Sequence, residues 1–69
     1  MNIKDLTELM KSANVEFEGE VSENVTFSDL EIDSLDIMML AFEIEKKTGR
    51  KLTFAKDETM KEVMEKING

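Results

Sequence analysis

The side chains able to do chemistry in this chain are carboxylates, ammonium groups and hydroxyls, because its 69 residues include no His and no Cys. Ser-His and Cys-His nucleophilic pairs are therefore excluded, together with disulfides, Cys-rich zinc sites and the commonest metal ligand. No metal site is expected. Among the hydroxyls, Ser34 is unusually placed, between Asp33 and Asp36 at the head of a long apolar segment. No group in the chain is suited to deprotonate it, so it is reachable but inert as a nucleophile of its own. Such a serine suits modification by another enzyme. A phosphate attached there meets the free amides and positive dipole end of a helix, which favour an anion, while the flanking aspartates oppose it. On its own, an Asp-Ser pair reads first as a plain helix cap, and only its wider context argues otherwise.

The elements that must position Ser34 follow from periodicity. Asn2 and Asp5 start a first helix in which Ile3, Leu6, Leu9, Met10 and Ala13 recur at three- and four-residue spacing, and Asn14 is a left-handed terminator. Val15 to Leu30, with Gly19, Ser22, Asn24 and Ser28, reads as a long loop. The alternation in Val15-Glu16-Phe17-Glu18 and the β-branched Val25-Thr26 leave an α+β alternative open. The second helix, capped by Asp33 or Ser34 and closed by Gly49, carries too many apolar residues for one face: Leu35, Ile37, Met38, Met39, Leu40, Ala41, Phe42 and Ile44. Some of them must face solvent. A last helix is expected from about Glu58 to Ile67, with Met60, Val63, Met64 and Ile67 on one side and Asn68-Gly69 as its stop. Leu52 to Asp57 is ambiguous. The fold class expected is all-α, a small antiparallel bundle of three main helices, with a short or reduced extra helix before the last.

Length and charge narrow the function. A chain this short forms a single domain over residues 1–69 and buries only about 60% of the surface its unfolded form exposes, too little to wall off a dry catalytic cavity. The expectation is a non-enzyme. Sixteen acidic against nine basic side chains give a net charge of -7, which disfavours nucleic acid and anionic lipid as partners and favours proteins with basic docking patches. Residues up to Glu45 hold 12 acidic and 2 basic side chains, whereas Lys46 to Gly69 hold 7 basic and 4 acidic. The one basic cluster, Lys46, Lys47, Arg50 and Lys51, falls at the end of the second helix, where cations complement the dipole. No apolar run is long enough for a membrane span, and Met1 leads straight into charged sequence, so a cytoplasmic monomer is expected.

The segment Phe27-Ser28-Asp29-Leu30-Glu31-Ile32-Asp33-Ser34-Leu35-Asp36, followed by an apolar-acidic helix ending at Gly49, resembles the acyl carrier protein family. The likeness extends to the Thr59-Met60 to Ile67-Asn68-Gly69 helix and covers nearly the whole chain. In that family the Asp-Ser-Leu serine receives a 4'-phosphopantetheine arm from coenzyme A through a phosphodiester, and the thiol of the arm carries substrates as thioesters. The resemblance implies that Ser34 is the attachment point, that a phosphopantetheinyl transferase is a partner, and that the thiol missing from the sequence is borrowed. Three departures stand out. Glu31 occupies a position where the family commonly has Gly, Met39 and Lys46-Lys47 stand where fatty acid synthesis members often carry acids, and the stretch from Gly49 to Thr59 is short. They favour a dedicated pathway carrier over general fatty acid synthesis.

For recognition by acyl-loading and acyl-processing enzymes, Asp33, Asp36 and Glu43 are expected to meet partner Lys or Arg, while Leu35, Met38, Met39 and Phe42 fill shallow apolar pockets. Solvated charge and ordinary core packing are the plain alternatives for these side chains. Met10, Met38, Met60 and Met64 are expected to fill core, with an opening core as the alternative. Two other functions remain open: an aminoacyl or peptidyl carrier of a nonribosomal pathway, and an unmodified acidic helical interaction module.

Overall fold

The computed structural model describes Met1–Gly69 as three helices and no strand: α1 (Ile3–Ser12), α2 (Ser34–Thr48) and α3 (Met60–Asn68). The all-α expectation holds. Of the α+β alternative, only one isolated antiparallel bridge exists, between Thr26 and Thr59.

Each helix starts where a side chain satisfies amides that have no intrahelical partner. Asn2 and Asp5 form a capping box on α1, Thr59 and Glu62 form another on α3, and Asp33 caps α2 by accepting from the Asp36 amide at 2.9 Å. Asp33 rather than Ser34 is thus the cap. The last helix begins at Met60, two residues later than Glu58, because Thr59 is extended (φ -80°, ψ 160°) and spends its side chain on Glu62. At the other ends, Gly49 closes α2 in the left-handed region (φ 74°) and Asn14 turns the chain after α1 (φ 61°).

Fourteen apolar residues form one core: Leu6, Leu9 and Met10 from α1, Ile37, Leu40 and Ile44 from α2, Met60, Val63, Met64 and Ile67 from α3, and Val15, Phe27, Leu30 and Ile32 from the long connection. No polar or charged residue is buried with them. The connection is therefore part of the core, and its backbone is tied down accordingly. The Glu18 amide donates to the Leu30 carbonyl at 2.9 Å, and the amides of Met60 and Lys61 at the head of α3 donate to the carbonyls of Val25 and Glu23. Thr26 and Asp29 exchange a reciprocal pair of side-chain bonds at 3.0 Å that tightens the turn before Leu30.

Leu52 to Asp57 forms no helix; it is irregular and ends in a turn at Lys56-Asp57. The extra helix is reduced to that turn. Phe54, half-buried, packs against the core with its ring 6.2 Å from that of Phe27. Lys66 lies over the same ring at 5.4 Å and donates to the Thr53 carbonyl and the Glu58 carboxylate. Arg50 donates to the carbonyls of Ile67 and Lys66, both at 2.8 Å, and so closes the end of α3.

Candidate functional site

Ser34 is the first residue of α2 and is exposed. Its position is fixed by the turn that precedes it. Phe27, Leu30 and Ile32 are buried to 1% exposure or less, and the Ile32 amide donates to the Phe27 carbonyl at 3.0 Å. Between those anchors Glu31 takes a left-handed backbone (φ 58°), which swings the chain so that Ile32 points inward and Asp33 and Ser34 outward. With capping done by Asp33, the Ser34 hydroxyl enters no hydrogen bond of the helix start and projects unengaged. An attachment serine must have these properties: a rigid base, an accessible oxygen and no structural duty. The residues present fit a covalently attached phosphodiester.

The electrostatics around Ser34 are strongly one-sided. Asp33 precedes it, and Asp36 lies on the rim of a cleft of about 560 Å³ lined by Val15, Glu16, Phe17, Glu18, Glu31 and Asp36. Partial burial, then repulsion from Asp33 and Glu16, pushes the Asp36 carboxyl above the usual aspartate value. Carboxylates crowded in this way attract a cationic partner surface. No grouping of acidic side chains has the arrangement of a metal site.

Along α2 below Ser34 runs an exposed apolar stripe. Leu35, Met38 and Phe42 are 65%, 67% and 67% exposed, and Met39 is 36% exposed. Their spacing of three and four residues puts all four on one face, opposite the buried Ile37, Leu40 and Ile44. The helix thus resolves its excess of apolar residues into two faces, one for the core and one for solvent. Met38 consequently lies outside the core that Met10, Met60 and Met64 fill, which corrects the expectation for that methionine. Asp36 and Glu43, seven residues apart, border one edge of the stripe. Glu43 is half-buried and pairs with Lys46 at 3.6 Å, so its charge is partly spent within the helix.

Of the residues singled out in the sequence, Asp33, Ser34, Leu35 and Asp36 come together at the head of α2, Met38, Met39 and Phe42 continue from them, and Glu43 sits at the far edge. Sequence reasoning missed Glu16, Glu18 and Glu31 as neighbours of the site. For Glu16 and Glu18 the one signal was the alternation from Val15 to Glu18, which places Val15 inward and Glu16 and Glu18 outward, beside the head of α2.

No helix is long and apolar enough to cross a membrane. No curated protein and no solved structure matches the chain. The family model of the phosphopantetheine attachment site does match, over residues 4–56, a span that takes in all but the first residue of α1, the connection, the whole of α2 and most of the irregular segment after it. Carrier domains of this kind hold a covalent 4'-phosphopantetheine, are not themselves catalysts, and interact with a phosphopantetheinyl transferase and with processing enzymes. Through that match, and a helix head that presents an unengaged serine on a rigid turn, the chain belongs to the phosphopantetheine attachment-site family.

Proposed function

We propose that this protein is an acyl carrier whose arm is attached at Ser34, and that residues 1–69 act as one discrete cytoplasmic carrier domain that works as a monomer and exchanges among separate enzymes. The observation that carries the reading is the division of labour at the head of α2, where Asp33 does the capping and Ser34 is left free. In the loading step the Ser34 oxygen forms the new bond to phosphorus, a phosphoanhydride bond of coenzyme A breaks, the nucleotide half leaves, and the hydroxyl proton passes to the transferase. When bound, the arm supplies the thiol that holds cargo as a thioester. The chain's own residues do the rest. The amides of Ser34 and Leu35, which have no partner in the helix start, favour the phosphodiester anion. Asp33 and Asp36, supported by Glu16 and Glu31 on the cleft, draw in Lys or Arg of a partner, and Leu35, Met38, Met39 and Phe42 supply the apolar contact. Glu43 adds charge at the edge of that surface. Contacts of this kind give fast and reversible association.

The departures from fatty acid synthesis members, Met39 and Lys46-Lys47 on α2, support service in a dedicated pathway. An aminoacyl or peptidyl carrier is the second reading, with which Met39 and Lys46-Lys47 are equally consistent. The two readings separate on cargo. The modified protein is incubated with acyl, aminoacyl and malonyl loading systems and weighed intact; an acyl mass supports the proposal, and exclusive aminoacylation contradicts it.

A further inference from the structure

Methionine is the one readily oxidised side chain in the unloaded chain, because Cys, His, Trp and Tyr are all absent while six Met are present. The fold sorts the six into two sets. Met10 and Met60 are 0% exposed and Met64 is 6% exposed, so their thioethers are sealed in the core, whereas Met38, Met1 and Met39 are 67%, 42% and 36% exposed. A peroxide in solution reaches the second set without unfolding. Within that set the positions differ. Met1 shares a hollow with Lys47, which lies near the far end of α2, about 20 Å from Ser34 at the helical rise. Met38 stands one turn from Ser34, and Met39 one turn from Leu35. Residues at that spacing have Cβ atoms about 5–6 Å apart, and long helical side chains lean back toward the helix start, which brings Met38 toward Ser34. An enzyme that forms a bond at the Ser34 oxygen therefore comes down on Met38 as well.

We infer that Met38 and Met39 form a redox-sensitive gate on the loading of Ser34: hydrogen peroxide oxidises them to sulfoxides and weakens docking of the transferase, and reduction restores it. The inference rests on the reading of Ser34 as the attachment point and adds regulation to that site. In the oxidation step the thioether sulfur attacks one peroxide oxygen, an S–O bond forms and the O–O bond breaks. The sulfur gives up two electrons, the peroxide is reduced by two, and the departing oxygen takes the proton and leaves as water. The unloaded chain has no thiol to intercept the oxidant. The sulfoxide that results is polar and chiral, and covering its oxygen in a formerly apolar contact is unfavourable. Because the core methionines are sealed, the gate acts on association and leaves the fold unchanged. Methionine sulfoxide reductases regenerate the thioether, so the change is reversible.

The test treats the unloaded protein with hydrogen peroxide, removes the peroxide, and locates added oxygen by peptide mass analysis before transferase kinetics are measured with coenzyme A and magnesium. The expected result is oxygen on Met1, Met38 and Met39, none on Met10, Met60 and Met64, and an unchanged circular dichroism spectrum. The transferase's KM for the protein rises about tenfold with little change in kcat. Treatment with sulfoxide reductases returns KM to its starting value. In the Met38→Leu/Met39→Leu variant, KM after peroxide equals that variant's own KM before it, although Met1 still gains oxygen. An unchanged or lowered KM in oxidised wild type, or a rise that persists in the double variant, overturns the inference while Ser34 loading stands. Oxygen on the core methionines with loss of the helical spectrum overturns it too, since the effect is then unfolding. Failure of the untreated protein to gain a phosphopantetheine mass sinks the attachment reading itself, and the inference with it.

Discussion

Glu31 shows most clearly how a single residue is made to serve the site. Its left-handed backbone (φ 58°) costs a residue with a Cβ about 1–2 kcal/mol, and its carboxylate faces a cleft already crowded with Glu16, Glu18 and Asp36. Glu31→Gly relieves the backbone cost and the crowding, against about 0.5–1 kcal/mol of glycine's extra freedom in the unfolded chain. The expected outcome is a gain of about 0.5–1 kcal/mol in urea unfolding; a loss contradicts it. Glu58 behaves in the opposite sense. Partial burial pushes its carboxyl up, but the hydrogen bonds from Lys66 and the Ala55 amide, with the Lys66 charge, outweigh this and hold it below the usual glutamate value. The folded state then binds fewer protons here than the unfolded chain. The associated stability is present above the ordinary glutamate value and is lost as pH falls through the lowered one. Since the Lys66 side chain is 44% exposed, solvent screening keeps the contribution below about 1 kcal/mol. Glu58→Gln is expected to narrow its stability gap from wild type as the buffer is acidified, and a gap that stays constant with pH contradicts the assignment.

At the scale of elements, α2 is a helix with two apolar faces, and that was legible in the count of its apolar residues before any packing was known. The caps were legible for the same local reason. Asn2 with Asp5, Asp33 before Asp36, and Gly49 act within a turn of their own positions, so a short window of sequence contains all the physics. The start of α3 was less legible. Glu58 looks like a first-turn acid, yet in the fold its carboxylate is committed to Ala55 and Lys66, which leaves Thr59 to cap. The ambiguity in the connection had a similar origin. Val15 and Phe27 carry strand-like neighbours, but the backbone partners that decide the matter come from Leu30, Lys56 and the head of α3, residues remote in sequence. Because Asp33 is the sole side-chain cap of α2, Asp33→Ala is expected to cost about 1 kcal/mol. It should also slow modification of Ser34, while Asp33→Asn preserves stability. Equal stability of the Ala and Asn variants in chemical denaturation contradicts this role.

For the whole molecule, charge is the organising feature. A net charge of -7 on 69 residues, concentrated before Glu45 and reversed beyond it, leaves the head of α2 anionic and the opposite end, with Lys46, Lys47, Arg50 and Lys51, cationic. Self-repulsion at the acidic end lowers stability. Added salt or millimolar magnesium is expected to raise the melting temperature by screening it; an unchanged thermal transition contradicts that. The composition announced this asymmetry but not its use, because the cleft of Glu16, Glu18, Glu31 and Asp36 exists only once the connection folds back beside α2.

The same geometry makes a direct test of the central claim simple, since Ser34 bears no structural load and Ser34→Ala should fold as wild type does. The decisive measurement is peptide-level mass analysis after incubation with a broad-specificity phosphopantetheinyl transferase, magnesium and coenzyme A. A phosphopantetheine-sized gain located on Ser34, and absent from folded Ser34→Ala, is the predicted result. A folded wild-type chain that stays unmodified, or gains the group at another residue, contradicts the account.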